Sequence, residues 1–400
     1  MPVQLVLPAD PERMRIGGIA SFVRGFAKFA PDDLDLSMIG ISATRTAWRW
    51  HDVELEGRPL RLLPVVADDG TRRSRVPIAA RFVAAIARRR REAAAGRWVR
   101  SFHRPATDLP FDTDAGPMWR VVHLSVSDLT TAGSESRWRP LAGLLRASER
   151  RSFRRMRRIF VVNRAAADRY RAEFPEAADR IGFVPNWFDP TIFRPAAADD
   201  RQRQRALLAG RFDLLGDGPL LLYAGRLEGQ KDPVLLARAF AVLHRADPAA
   251  RLLVAGEGGQ LPAMRDELRR LGVADAARFA GTVPREELAG LMHAADALVI
   301  SSAFETGPTI GLEALACGLP VVTTDVGEVA GVVARSGAGA VAGARTPEAL
   351  GEVLRRVTAE AESLRERAAA AAAPFAADRV LGELYEENRR LAALLPVGAS

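Results

Sequence analysis

Glu305 and Glu313 stand eight positions apart around a Gly307-Pro308 turn, and the residues from Thr309 read as the start of a helix. Free backbone N–H groups at such a start suit an anion. Two carboxylates beside it cannot be there for phosphate; they suit accepting hydrogen bonds from the hydroxyls of a sugar. Taken singly, Glu305 reads equally well as a solvated loop residue and Glu313 as an ordinary helix glutamate. Upstream, Tyr223-Ala224-Gly225-Arg226 leaves an apolar run and Lys231 follows five positions after Arg226. These two cations can converge on one group, each contact being worth roughly 4 kcal/mol at 4 Å and an effective dielectric near 20, before desolvation. A diphosphate whose charge grows as it departs is the group that such a clamp fits. The competing reading is two surface cations with no shared partner.

The elements that carry these residues alternate regularly. Apolar runs at 220–224, 251–255, 278–280, 297–301 and 320–323 predict strands, and helices are expected over 232–244, 261–271, 284–294 and 309–316. Asp232-Pro233 supplies a cap and a first-turn proline. Buried strands alternating with amphipathic helices predict a doubly wound parallel sheet, an α/β fold with ligands at the carboxyl ends of its strands. The first half reads as the same class, with strands at 3–7, 98–102, 121–124, 159–162 and 181–184 and a helix over 20–29. Residues 193–219 are expected to link two domains, and a last helix is expected over 378–394.

Composition narrows the class. The 400 residues are 48% hydrophobic and 26% charged, with a single cysteine, Cys317, which excludes a disulfide scaffold and a multi-cysteine metal site. No run is long and apolar enough for a spanning helix and no signal peptide is evident, so a cytoplasmic chain is expected. The net charge of +8 divides into +10 over residues 1–200 and −2 over the rest. Of the 57 basic residues only Lys28 and Lys231 are lysine. Residues 81–91 and 141–160 combine arginines with Phe82, Val83, Ile86, Phe153 and Met156, the composition of cationic amphipathic helices. They raise the expectation of an anionic membrane surface as partner, on the inner face of the plasma membrane; a solvated arginine face is the alternative.

Gly225-Arg226 with Lys231, Gly256-Glu257-Gly258, Phe279-Ala280-Gly281-Thr282-Val283, and Glu305 with Glu313 followed by Ala-Leu-Ala-Cys-Gly-Leu-Pro-Val-Val occur in one order and spacing. Together they resemble the nucleotide-sugar domain of a family-four, GT-B, retaining glycosyltransferase. Val184-Pro185-Asn186-Trp187-Phe188-Asp189 resembles a further segment of that family, with Trp187 where a glycine is usual; Glu328 departs similarly from a glycine pair. The resemblance implies two Rossmann-like parallel-sheet domains facing a central cleft: 1–198 for the acceptor, 199–373 for the donor, and 374–400 returning to the first domain. It implies transfer of a hexose-type sugar, with retention, from a UDP- or GDP-sugar to a hydroxyl of a glycan or lipid-linked acceptor, with no cofactor and no metal. Arg226 and Lys231 would neutralise the diphosphate, Glu313 hold the ribose and Glu305 the transferred sugar. Gly307, Pro308, Thr309 and Ile310 would hold sugar and phosphate through the backbone, Gly256 would line the donor, and Thr282 and Val283 would touch the base. Gly17 and Gly18 would admit the donor phosphate, His123 would contact the reacting sugar, and His103 and Arg104 would shape the acceptor side. His123, Glu305, Arg226 and Lys231 are thus the catalytic candidates.

Other classes fit less well. A nucleic-acid-binding protein is permitted by charge, but no helix-turn-helix, aromatic RNA platform or zinc pattern occurs, and the phosphate-binding half is slightly acidic. A dinucleotide oxidoreductase would need G-x-G-x-x-G after the first strand. A sugar-nucleotide epimerase of the same architecture, and a non-catalytic relative that only binds the nucleotide sugar, stay open as alternatives.

Overall fold

A computed structural model describes residues 1–14, 18–68, 76–111, 116–123, 142–212, 218–305 and 309–396. The chain forms two compact units, Met1–Pro185 with Ala377–Ser400, and Asn186–Ala376.

The first unit carries β1 (Pro2–Val6), β2 (Asp35–Ser42), β3 (His51–Leu55), β4 (Arg58–Ala67), β5 (Val99–Phe102), β6 (Met118–Val122), β7 (Arg158–Val161) and β8 (Ile181–Phe183). They form one sheet in the order β3-β4-β2-β1-β5-β6-β7-β8. Every neighbouring pair is parallel except β3 and β4. That pair corrects the expectation of a wholly parallel sheet. Glu56 and Gly57 have φ of 53° and 77°, and two successive positive values are what a two-residue type I′ hairpin needs. The winding reverses between β1 and β5, so the loops after β1, β5 and β6 share one edge of the sheet.

The second unit carries β9 (Leu220–Ala224), β10 (Arg251–Ala255), β11 (Ala277–Gly281), β12 (Ala297–Ile300), β13 (Val321–Thr323) and β14 (Gly339–Val341). Their order is β11-β10-β9-β12-β13-β14, all parallel. Leu220, Leu222 and Ala224 enter one core cluster while Leu221 and Tyr223 enter another, so β9 is buried on both faces, as a doubly wound sheet requires. The following helix, Pro233–Ala246, starts where its sequence dictates: the Asp232 side chain accepts from Leu235 N at 3.0 Å and Pro233 fills the first turn.

The boundary expected at 198/199 lies at 185/186, because Phe188 and Phe193 are core residues of the second unit and Phe188 N donates to Phe375 O at 3.1 Å. Trp187 is buried at negative φ, so no glycine conformation is needed there. The expected linker is largely a helix, Ala198–Phe212. Its Leu208 is buried, and Arg205 donates to the Ala294 carbonyl at 3.2 Å and to Asp296 at 2.8 Å. The helix Ala377–Ala392 belongs to the first unit, with Tyr385 Oη donating to Phe26 O at 2.8 Å and Arg389 paired with Asp33 at 3.0 Å. The stretch expected to start at 374 therefore joins the first unit at 377.

The arginine-rich helices also differ from expectation. In Ile78–Arg88, Phe82 and Ile86 are wholly buried, and Phe153 and Met156 at the end of Ala142–Arg155 enter the same core. Of the apolar side chains assigned to lipid, Phe82, Ile86, Phe153 and Met156 are thus core residues and Val83 is half-buried, while Leu141 and the side chains of Leu144 and Leu145 lie outside what is described. Arg88, Arg146, Arg150 and Arg151 are exposed on these helices, so an anionic surface would be met there by charge. Among the described residues no helix is long and apolar enough to cross a membrane.

Loops after β9 and β10 are zipped together: Gly225 N donates to Ala255 O at 2.9 Å, Leu227 N to Glu257 O at 2.8 Å, and Gln260 N to Leu227 O at 2.8 Å. A Cβ on Gly256, whose φ is +145°, would lie 1.9 Å from the Gly225 carbonyl oxygen. Gly256→Ala should therefore destabilise the fold by roughly 3 kcal/mol, through strain and backbone overlap. The denaturant midpoint measures this, and an unchanged midpoint would mean that the loops are not packed in this way.

Candidate active site

In the second unit the winding reverses between β9 and β12, and the loops after these strands form the edge at which ligands of such sheets sit. They are stitched to each other. Ala303 N donates to Gln230 O at 2.8 Å, Gln230 Nε2 to Phe304 O at 2.8 Å, and Ser301 Oγ to Lys231 O at 2.8 Å. This stitching sets Lys231, on the loop after β9, against Glu305, on the loop after β12.

Lys231 Nζ and Ser302 Oγ, the latter at 2.7 Å, both donate to Oε1 of Glu305. The Glu305 side chain is only 7% exposed and that of Lys231 21%, so the pair is partly withdrawn from water. Both donors use one oxygen. Oε2 has no hydrogen bond among the described residues and is free to accept from an incoming hydroxyl. Arg226 is exposed, and its side chain makes no hydrogen bond or ion pair among the described residues. The structure thus brings Lys231 to Glu305, and shows no partner common to Lys231 and Arg226.

Glu313 lies one turn inside the helix Thr309–Ala316, its side chain 12% exposed. Burial pushes its carboxyl above the ordinary glutamate range, and the guanidinium of Arg285, 3.4 Å away, pulls it partly back. Arg285 also faces Asp189 at 3.8 Å, and Asp189 is fixed by Thr191 N and Oγ1 at 2.9 and 2.7 Å. Neither Arg285 nor Ser302 is legible as a site residue from spacing. Arg285 merely opens the helix Arg285–Ala294, after Thr282, which is exposed, and Val283, which packs on the core. Thr309 and Ile310 are half-buried at the start of their helix, while Gly307 and Pro308 lie outside the described residues. Gly256 has a packing role of its own, given above.

In the first unit, His103 directly follows β5 and His123 directly follows β6. Ser101 Oγ is 2.9 Å from His103 Nε2, and His103 Nδ1 is 3.1 Å from His123 Nε2. Phe22 covers both imidazoles, at 5.4 and 5.2 Å between ring centroids. Burial, with help from nearby arginines, holds His103 well below the usual histidine range and takes His123 down to about 3, so both rings are neutral near pH 7. Arg104 is exposed beside them. Gly18 opens the helix Gly18–Lys28 with no atom within 4 Å of where its Cβ would stand; Gly17 lies outside the described residues. Among the described residues no cluster of three or more His, Cys, Asp or Glu has a geometry that could hold a metal.

Residues 210–373 match the family described as glycosyl transferases group 1. A D-inositol 3-phosphate glycosyltransferase of Nocardiopsis dassonvillei is 30% identical over 307 residues, covering 73% of this chain and 68% of the relative. Relatives of the same name from Frankia alni, Catenulispora acidiphila and Thermomonospora curvata are 35% to 37% identical, and the match spans about half their length, 44% to 54%. Among solved structures, a sucrose-phosphate synthase from Thermosynechococcus elongatus superposes with a TM-score of 0.79 at 19% identity, covering 98% of this chain and 99% of that one. The Anabaena HepE protein in complex with UDP and glucose gives 0.68 at 16% identity, covering 97% and 99%. These likenesses show the GT-B fold, with a parallel-sheet α/β architecture in each unit.

Burial raises the Glu313 carboxyl in the fold above its ordinary value of 4.5, so its charge opposes folding progressively as pH rises through and above that value. Glu313→Gln removes the buried charge and leaves Arg285, whose side chain is 43% exposed, to water. At neutral pH the variant should be at least as stable as the wild type. With Glu313 accepting from a ribose hydroxyl, as the resemblance implies, affinity for a ribose-containing ligand should fall about tenfold to a hundredfold, the worth of a hydrogen bond to a charged group. Thermal unfolding with and without nucleotide separates the two effects; loss of stability with unchanged affinity would show Glu313 to be structural.

Proposed function

The chain belongs to the glycosyl transferases of group 1, and from that premise we propose that it moves a sugar from a nucleotide-diphosphate sugar to an acceptor hydroxyl, with retention at the anomeric carbon. The observation that carries the reading is the Glu305 carboxylate, held through one oxygen by Lys231 and Ser302 with the other oxygen open, on the ligand edge of the β9/β12 switch. A hydroxyl-rich group beside a lysine and a further exposed arginine, Arg226, is what an activated sugar presents.

In this reading Arg226 and Lys231 balance the diphosphate, whose charge rises as its bond to the anomeric carbon breaks. Glu305 accepts from a hydroxyl of the transferred sugar and Glu313 from the ribose. The acceptor oxygen attacks on the face the leaving group vacates, and its proton passes to the departing phosphate oxygen. Bonds then balance: one C–O bond breaks, one forms, and the proton ends on the nucleotide. Burial lowers the basicity of His103 and His123, and this routing asks neither of them to take the proton. The +10 charge of residues 1–200 favours an acceptor that itself carries phosphate, such as a lipid-linked glycan or a phosphorylated polyol. The name of the Nocardiopsis, Frankia, Catenulispora and Thermomonospora relatives supports the latter class.

Incubation with labelled UDP-, GDP- and ADP-sugars and extracted acceptors tests the proposal. Label should become covalently attached to acceptor with the donor's anomeric configuration, and transfer should persist in EDTA because arginine and lysine neutralise the diphosphate. Release of free sugar with no acceptor product would support the epimerase reading instead. Lys231→Ala should lower kcat about a hundredfold to a thousandfold. Lys231→Arg should not restore it, because a guanidinium fork engages both carboxylate oxygens and would occupy Oε2 of Glu305.

A further inference from the structure

We infer that Ser101, His103 and His123 form a one-way hydrogen-bond relay that fixes the His123 ring in its Nδ1–H tautomer, making His123 a hydrogen-bond donor to a substrate oxygen and Ser101 and His103 its positioning residues. The substrate in this statement rests on the function proposed above; the relay itself does not.

The direction follows from counting protons. Ser101 is wholly buried, and among the described residues its hydroxyl meets only His103 Nε2, at 2.9 Å. A serine hydroxyl has one proton to give. If Nε2 of His103 were the donor, that proton would be left buried without an acceptor, a loss of roughly 1–3 kcal/mol. With the hydroxyl donating, Nε2 is the acceptor. A neutral imidazole carries one N–H, so the proton of His103 must be on Nδ1. Nδ1 lies 3.1 Å from His123 Nε2, which then accepts. The one remaining proton of His123 is therefore on Nδ1, the nitrogen outside the relay.

The alternative of a doubly protonated His103 fails on its surroundings. The residue is 3% exposed, its ring has the Phe22 and Trp119 rings at 5.4 and 6.2 Å between centroids, and it shares its neighbourhood with the cationic Arg120. A cation there would be desolvated next to a like charge while Ser101 lost its acceptor. Burial depresses the basicity of both imidazoles in the same sense.

The chemical consequence is specific. With Nε2 occupied by His103 and Nδ1 already protonated, His123 has no lone pair with which to take the acceptor's proton. It can give a hydrogen bond to an oxygen and hold it in place. Residue type alone cannot distinguish this from a general base; the second histidine and the serine behind it make the distinction.

The full-length protein labelled with 15N-histidine provides the test, with the five histidines assigned by single substitution and read through long-range proton–nitrogen correlations. His123 should show a protonated Nδ1 and an unprotonated Nε2, unchanged between about pH 6 and 8, where a free histidine titrates. A protonated Nε2, or an imidazolium in that range, would overturn the relay. Ser101→Ala should give a mixed His123 tautomer and lower kcat by about tenfold with donor KM held within about twofold, as loss of one oriented hydrogen bond predicts. Ser101→Thr, which keeps the hydroxyl, should restore the wild-type spectrum. A Ser101→Ala protein with wild-type tautomer and kcat would also overturn the proposal. If Ser101→Ala does not fold, the wild-type spectrum decides alone. The expected wild-type tautomer in a protein that transfers no sugar would leave the relay standing and remove the glycosyltransferase reading.

Discussion

The ion pair between Lys231 and Glu305 is the interaction on which the ligand edge of the second unit depends. It joins the loops after β9 and β12, the two strands between which the winding reverses, and it does so with little solvent access to the carboxylate. Removing either partner would leave the other charge partly buried and unpaired, which is far more costly than losing an exposed surface bridge. The identity of the cation matters as much as its charge. In a chain with 55 arginines and two lysines, a lysine stands at this position. An ammonium is a compact point charge that shares Oε1 with Ser302; a guanidinium would bind both oxygens. The lysine therefore both holds Glu305 and leaves half of it unoccupied.

That geometry exists because the backbone around it has few alternatives. β9 is buried on both faces, which fixes its register between β10 and β12. The loop after β10 is locked to the loop after β9 by backbone hydrogen bonds that only glycine at Gly256 permits. Gly256-Glu257-Gly258 thus reads as a ligand motif in the sequence but acts first as a packing motif. The two readings are compatible, since a loop without side chains at the point of contact is also a loop that a ligand can approach.

The parts of the fold legible in the sequence are those in which one physical rule dominates. Strands buried on both faces are unbroken apolar runs, so β9 and β10 are found at their predicted bounds. β4 was invisible for the opposite reason: Pro59 and Pro64 argue against a strand, yet Pro64 pairs opposite Gly40 where the register shifts, and Pro59 lies on the hairpin side. The helix Ala198–Phe212 was hidden by its weak amphipathicity, since Leu208 is its one buried residue and polar bonds from Arg205 do much of the docking. At the site, Glu305, Glu313 and Lys231 were legible because their residue types are unusual where they occur. Arg285 and Ser302 were not, because an arginine at a helix start and a serine after a strand are commonplace until their partners are known.

Arginine enrichment of the first unit shows how composition misleads when topology is missing. Phe82, Ile86, Phe153 and Met156 alternate with arginines as they would on a membrane-seeking helix, yet all four are packed in the core. Any protein helix docked on a sheet has the same two-sided pattern, because the core asks of it what a bilayer would. The same unit keeps two imidazoles neutral amid Arg104 and Arg120 by burying them and giving each ring nitrogen at their interface a partner. A neutral pair among cations has low proton affinity. In the transfer proposed above, the departing diphosphate can then serve as the base. Its proton affinity rises as its bond to carbon lengthens, at the moment when the acceptor's proton becomes acidic. Under that proposal, histidines of low basicity cost the reaction nothing.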